Sequence, residues 1–246
     1  MAFKITTTKE VALARGLKVL VHGPPGIGKT LLCSTTGALD KTLIISAEAG
    51  LLSLRGFDIK VAEVSTLEEL QEVYKSLRDD AHPFEWICLD SISEIAEVVL
   101  NHELKQSKDP RQAYGALYDK MLDLLRNFRD LPCNVYMSCK QGRETEKIDD
   151  DRERTKLVPS LPGRKLAQNI SYLFDEVFAL QIGKDEDGFY RVLQTQPDGR
   201  HECKDRSGAL DMMETPNLKV IHDKIMQPVP SSPHVSPKKG AKQETA

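Results

Sequence analysis

No stretch of this 246-residue chain approaches the ~20 consecutive apolar residues that a membrane-spanning helix needs. The opening segment, MAFKITTTKEVALARG, lacks the apolar centre of a secretory signal peptide. The five cysteines (Cys33, Cys88, Cys133, Cys139 and Cys203) are odd in number and have no paired short spacing. That argues against a disulfide framework and for reduced thiols. The six histidines fall into no metal-ligand spacing, so no structural zinc is expected. Neither sign of charge is in excess: the formal net charge is -3 with 29% charged residues. That excludes a bulk electrostatic grip on nucleic acid and leaves room only for a local basic patch. Together these absences predict a cytoplasmic protein with no membrane partner, and the 40% hydrophobic content supports one large core.

What is present is an alternation of apolar runs and amphipathic stretches. LKVLVHG (17–23), TLIISAE (42–48), WICLD (86–90), NVYMS (134–138) and EVFALQI (176–182) read as five buried strands. KTLLCSTTG reads as a helix ended by Gly37, and STLEELQEVYKSLRDD as an amphipathic helix opened by a Thr66–Glu69 capping box. Two more helices are expected over 92–106 and 112–129, the second carrying the stripe Leu117, Met121, Leu124, Leu125 and Phe128. KDEDG is a turn that returns FYRVLQT as a hairpin. Alternation of this kind predicts an α/β fold, a mainly parallel sheet flanked by helices with a C-terminal β-hairpin. The domain is expected to run over 1–226. The tail 227–246, rich in Pro, Ser and Lys, is expected to be disordered.

GPPGIGKT (23–30) fits the phosphate-loop pattern at every fixed position, with a strand before it and a helical stretch after it. Gly23, Pro24, Pro25, Gly26, Ile27, Gly28, Lys29, Thr30 and Leu31 are therefore the expected nucleotide contacts. The glycines let the backbone approach a phosphate, and the loop amides face the anion. Lys29 is expected to reach the β- and γ-phosphates of ATP, and the Thr30 hydroxyl to bind Mg2+. Asp90, closing the strand WICLD, is the second expected magnesium residue. Ser91 follows it and cannot serve as a base. The strand TLIISAE ends in Glu48. All parallel strands of a sheet deliver their carboxyl ends to one edge, so Glu48 shares that edge with Asp90 and the phosphate loop. It is the best remaining candidate to polarise the attacking water.

The aspartate-serine pair of WICLDS and the Ala-Glu of SAEAGLL resemble those of RecA-type recombinases. GPPGIGKT, AEAG, LDS and KDRSGALD make the chain, to about residue 226, similar to phage-encoded RecA-core ATPases linked to single-strand annealing and recombination. The AAA+ ATPases instead keep an Asp-Glu pair at the third strand. The resemblance implies a RecA-like P-loop fold with strand order 5-1-4-3-2, and it carries the role of catalytic glutamate onto Glu48. It also implies that a residue at the end of the fourth strand, Gln141 or Lys140, senses the γ-phosphate and opens a DNA-binding loop. Basic residues after the hairpin, Lys204 and Arg206, are implied to reach the nucleotide of the next subunit. The loop itself mixes charges. Arg143, Lys147, Arg152, Arg154, Lys156, Arg164 and Lys165 stand beside the acidic block Asp149, Asp150 and Asp151.

The function expected from these residues is ATP hydrolysis by a homo-oligomeric ring or filament acting on single-stranded DNA. It would serve phage-type recombination, annealing or replication in a host cytoplasm, with a single-strand-binding protein as a possible partner. The alternatives are an ATP-ordered annealing module with little turnover, a helicase loader of AAA type, and, more weakly, a small-molecule phosphotransferase.

Overall fold

The computed structural model describes residues 5–48, 50–149 and 152–227. Of the expected tail, 228–246 lies outside the described residues. The chain begins with α1 (Thr8–Arg15), opened by a capping box between Thr7 and Glu10, and enters β1 (Lys18–Gly23). After the phosphate loop come β2 (Thr42–Ser46), β3 (Lys60–Glu63), α2 (Leu67–Asp79), β4 (Trp86–Asp90), α3 (Ile92–Gln106) and α4 (Pro110–Arg129). Then follow β5 (Asn134–Lys147), β6 (Glu153–Ser160), α5 (Arg164–Ile170), β7 (Glu176–Asp185), β8 (Gly188–Gln194), β9 (Lys204–Asp205), β10 (Met213–Glu214) and α6 (Leu218–Ile225).

Helix boundaries follow capping chemistry. The Thr66–Glu69 box closes as expected, with each side chain taking the other's backbone N–H at 3.2 Å. Asp109 caps α4 with Pro110 in the first turn, where a missing N–H costs nothing. Ser91 caps α3 through Glu94 N.

The sheet runs β10-β8-β7-β1-β5-β4-β2-β3. Its centre, β7-β1-β5-β4-β2, is the parallel order 5-1-4-3-2 expected of a RecA-like P-loop NTPase. The sequence reading missed the edge strand β3, whose KVAE is mostly exposed and gives no buried apolar signal. β1, β2 and β4 are buried at every position, so alternate residues feed two cores. Leu20, Ile45, Leu89 and Met137 pack under α2 to α5. Val19, Ile44, Cys88 and Tyr136 pack on the other face with Leu218 and Ile221 of α6.

Two expectations are corrected. The stretch after the phosphate loop is a 3-10 turn over Thr30–Thr35, not a regular α-helix. Ser34 and Thr35 donate their hydroxyls back to the carbonyls of Leu31 and Leu32 at 2.7 Å, competing with the helical ladder. The region 142–165 is not an open loop. β5 runs on past the sheet and pairs antiparallel with β6, from Lys140↔Ser160 to Lys147↔Glu153. Charges of opposite sign face each other across this hairpin. Glu146 sits 2.9 Å from Arg154 and 3.1 Å from Lys156, which turns a mixed-charge stretch into a strand pair. Among the described residues no helix is long and apolar enough to cross a membrane.

At the amino edge of the sheet, Glu176 is 1% exposed. One oxygen accepts from Ser207 N at 3.1 Å, and the other has no partner among the described residues. Burial, reinforced by Asp205, pushes its carboxyl up to about 8. A group with a raised folded-state pKa adds stability that is full below the ordinary carboxyl range and lost as pH rises through the folded value. Thermal melts between pH 5 and pH 8.5 should therefore show Glu176→Gln losing less stability across that window than the unmodified chain. Parallel curves would mean that Glu176 does not titrate there.

Candidate nucleotide site

Lys29, Thr30, Glu48, Asp90, Lys140 and Gln141 line one cavity of about 550 Å³ at the carboxyl edge of the sheet. Gly23 ends β1, and a Cβ there would lie 2.9 Å from the Leu180 carbonyl, so the strand leaves the sheet against its neighbour's backbone. Ile27 is buried and pins the loop to the core, Leu31 packs at the core's margin, and Pro25 and Gly26 line the cavity. The Pro24 and Gly23 carbonyls accept from Lys29 Nζ at 3.0 and 2.9 Å. These are weak commitments beside a triphosphate, which offers the ammonium a charged acceptor. Burial pulls the Lys29 pKa down, while Asp90 and Glu48 hold it up.

Asp90 is 4% exposed. Thr30 Oγ1 donates to Asp90 Oδ2 at 2.6 Å, and the Ser138 hydroxyl donates to Oδ1. A hydroxyl and a carboxylate in contact at the floor of a phosphate-loop cavity are the oxygen donors a magnesium ion takes. The residues therefore fit Mg2+, which Thr30 and Asp90 would hold. Glu48 stands at the rim, exposed, with its carboxylate accepting the Ser91 hydroxyl. Ser91 thus cannot replace the base but does orient the carboxylate that can act as one.

At the end of the sheet portion of β5, Lys140 and Gln141 both face the cavity. Lys140 Nζ pairs with Glu94 at 2.7 Å, and that bond raises its pKa. Gln141 Oε1 is buried with no partner among the described residues, as is Nδ1 of His22. His22 is fully buried, its pKa pushed down to about 4 by that burial, and its Nε2 meets the Glu202 carbonyl at 2.8 Å.

Lys204 and Arg206 are elsewhere. β9 pairs with the start of β7, Lys204 opposite Val177, about three residues or ~10 Å of strand away from the Gly23 edge. Lys204 Nζ is spent on the Ser171 and Phe174 carbonyls at 3.1 and 2.6 Å, and Arg206 on Asp175 at 2.8 Å. Within one chain neither reaches the cavity, and any part they play there runs through a neighbouring subunit.

Three contributors escaped the sequence reading. Ser138 is the polar residue closing the buried run NVYMS, a signal that was open to view. Tyr136, inside the same run, donates its hydroxyl to the Lys29 carbonyl at 2.8 Å. Arg191, on β8, donates Nε–H to the Ile27 carbonyl at 2.6 Å. It lies 3.3 Å from where a Cβ on Gly28 would stand, and Gly28 has a φ of +111°. No local pattern announces an arginine folded back from 164 residues downstream.

The profile of the AAA domain family matches residues 15–207. The chain belongs to that family. No curated protein matches it. Among solved structures it is similar to the KaiC-like protein PH0186 from the hyperthermophilic archaeon Pyrococcus horikoshii OT3. That likeness has 15% identity and a TM-score of 0.43, and covers 77% of this chain and 83% of that one. So distant a likeness adds nothing to what the sheet order establishes. The chain is thus a nucleotide-binding P-loop ATPase domain of the AAA family, with Ser91 rather than a glutamate following Asp90.

For this AAA domain the Arg191 contact yields a direct test. The guanidinium fixes one carbonyl of the phosphate loop, and hydrogen bonds to charged groups contribute about 1.5–3 kcal/mol. Arg191→Ala should weaken ATP binding about tenfold or more in a direct titration, with Thr30 and Asp90 untouched. Unchanged affinity would reduce Arg191 to a surface contact.

Proposed function

We propose that this AAA domain hydrolyses ATP with Mg2+ as part of a homo-oligomer that works on single-stranded DNA. The observation that carries the hydrolytic part is the convergence of Thr30, Asp90 and Glu48 on one cavity, with Glu48 turned by Ser91. Mg2+, held by Thr30 and Asp90, would supply neutralisation of the phosphate charge. Lys29 leaves its two loop carbonyls for the γ-phosphate. Glu48 accepts the proton of the attacking water, while the Ser91 hydroxyl keeps the carboxylate facing it. Gln141 is favoured over Lys140 as the group that answers the γ-phosphate, since its amide NH2 can donate to a phosphate oxygen while Lys140 is already paired with Glu94.

The DNA part rests on position. The β5–β6 hairpin begins at Lys140 and Gln141, so the strand that lines the cavity is also the one that runs out into the hairpin. Its acids already hold several of its cations: Arg152 pairs with Asp149, and Arg154 and Lys156 with Glu146. Among the described residues Arg143 and Lys147 have no such partner and are the better phosphate contacts. The same self-neutralisation favours a second reading, an ATP-ordered annealing module with slow turnover. ATPase rates with and without single-stranded DNA separate the two. A recombination or annealing role of phage type, in a host cytoplasm and beside a single-strand-binding protein, remains the biological setting that fits this chemistry.

Glu48→Gln should keep ATP binding and lose hydrolysis by about 10²–10⁴, the usual cost of removing a general base. Normal turnover in that variant would move the base elsewhere. For the hairpin, the logarithm of affinity for single-stranded DNA should fall linearly with the logarithm of salt concentration, by about 0.7 per phosphate contact. Arg143→Ala with Lys147→Ala should make that slope shallower by about 1.4. An unchanged slope would remove the hairpin from the DNA site.

A further inference from the structure

We propose that a second hollow on the carboxyl edge, between the start of α4 and the turn into α5, is a base-stacking slot for an unpaired nucleic-acid strand coming off the hairpin. The inference rests on the single-strand reading above and names where the bases go. The hollow has a volume of about 590 Å³ and is walled by Tyr114 and Tyr118, one turn apart on α4, and by Gly163, Arg164 and Lys165 opposite. Tyr114 is 46% exposed, so part of its ring is open to a flat ligand.

Two glycines leave the slot open. Gly115 has nothing within 4 Å of where its Cβ would be. Gly163 holds a φ of +86°, and a Cβ there would come 3.6 Å from the Tyr114 ring. A flat group can therefore lie along Tyr114 with bare backbone beside it. Cations stand at the mouth. Lys165 Nζ sits 4.3 Å from the centre of the Tyr118 ring. Arg164 is largely exposed and, among the described residues, is paired with Glu144 alone at 3.6 Å, an open pair that a phosphate can displace.

Continuity with the hairpin comes from Arg164, which lines this slot and also a neighbouring hollow along β5 and β6 where Arg143 lies. Aromatic faces with interleaved cations suit a strand whose bases are unstacked and whose backbone is charged. A duplex hides its base faces and gains nothing from Tyr114.

The test measures binding of a labelled oligothymidylate and of an abasic strand of the same length, each with ATP present. The unmodified protein should prefer the strand with bases about tenfold or more, the worth of one stacked base. Tyr114→Ala should lose most of that preference with no change in salt slope, because no phosphate contact is removed. Tyr114→Phe, which keeps the ring, should retain it. Arg164→Ala should instead make the slope shallower by about 0.7 while keeping the preference for bases. A Tyr114→Ala protein that prefers bases as strongly as the unmodified chain overturns the slot and leaves the functional reading standing. So does equal binding of both strands by the unmodified protein. If that protein binds neither strand, the single-strand reading falls, and the slot falls with it.

Discussion

Asp90 is a carboxylate nearly closed off from water, and the rest of the site depends on how that burial is tolerated. An unpaired charge in such a place is costly. Two hydroxyls offset the cost by donating to its two oxygens: Thr30 from the phosphate loop and Ser138 from β5. Each ties a different element to β4, so the phosphate loop, the Asp90 carboxylate and the strand leading to the hairpin are fixed to one another before any ligand arrives. Hydrogen bonds to a charged group contribute more than neutral ones. The arrangement is therefore stiff where a metal would need its oxygens preplaced. Tyr136 adds a third tie by holding the Lys29 carbonyl from beneath.

The two edges of the sheet divide the labour. The carboxyl edge gathers the phosphate loop, Glu48, Asp90, Lys140 and Gln141. The amino edge gathers charges that serve packing. Lys18 is buried against the Leu131 and Cys133 carbonyls, its pKa pulled down by that burial to about 8. Glu176 is stranded beneath Ser207, and Lys204 is spent on two carbonyls. Lys204 spent on carbonyls and Arg206 on Asp175 explain why KDRSG brings no charge to the nucleotide cavity of its own chain.

What could be read from the sequence was what periodicity and short-range chemistry encode. The five central strands, the boundaries of α3 and the Thr66–Glu69 box are local signals, and the sheet order was carried by the resemblance. The phosphate loop is legible because its spacing is the chemistry. Three things were not legible, each for a physical reason. β3 is exposed and carries no apolar run. The β5–β6 hairpin is built from cross-strand ion pairs, and a string of mixed charges looks the same in a loop. Arg191 reaches the phosphate loop only because the β7–β8 hairpin pairs β7 to β1, a contact between residues far apart in the chain.

The hairpin is not an isolated arm. Leu157 on β6 donates its N–H to the Arg200 carbonyl at 2.6 Å and accepts from Glu202 N at 2.9 Å. The Glu202 carbonyl in turn meets the His22 ring at 2.8 Å. His22 is buried and held neutral, and it is the last residue before Gly23. The phosphate loop and the hairpin are thus joined through the 200–202 segment. Any displacement of β6 must either carry that segment with it or break two backbone hydrogen bonds. If the segment moves, the first side chain to register it is one residue from the loop that holds the phosphates. A ligand that shifts the hairpin would therefore bear on the imidazole that precedes the phosphate loop.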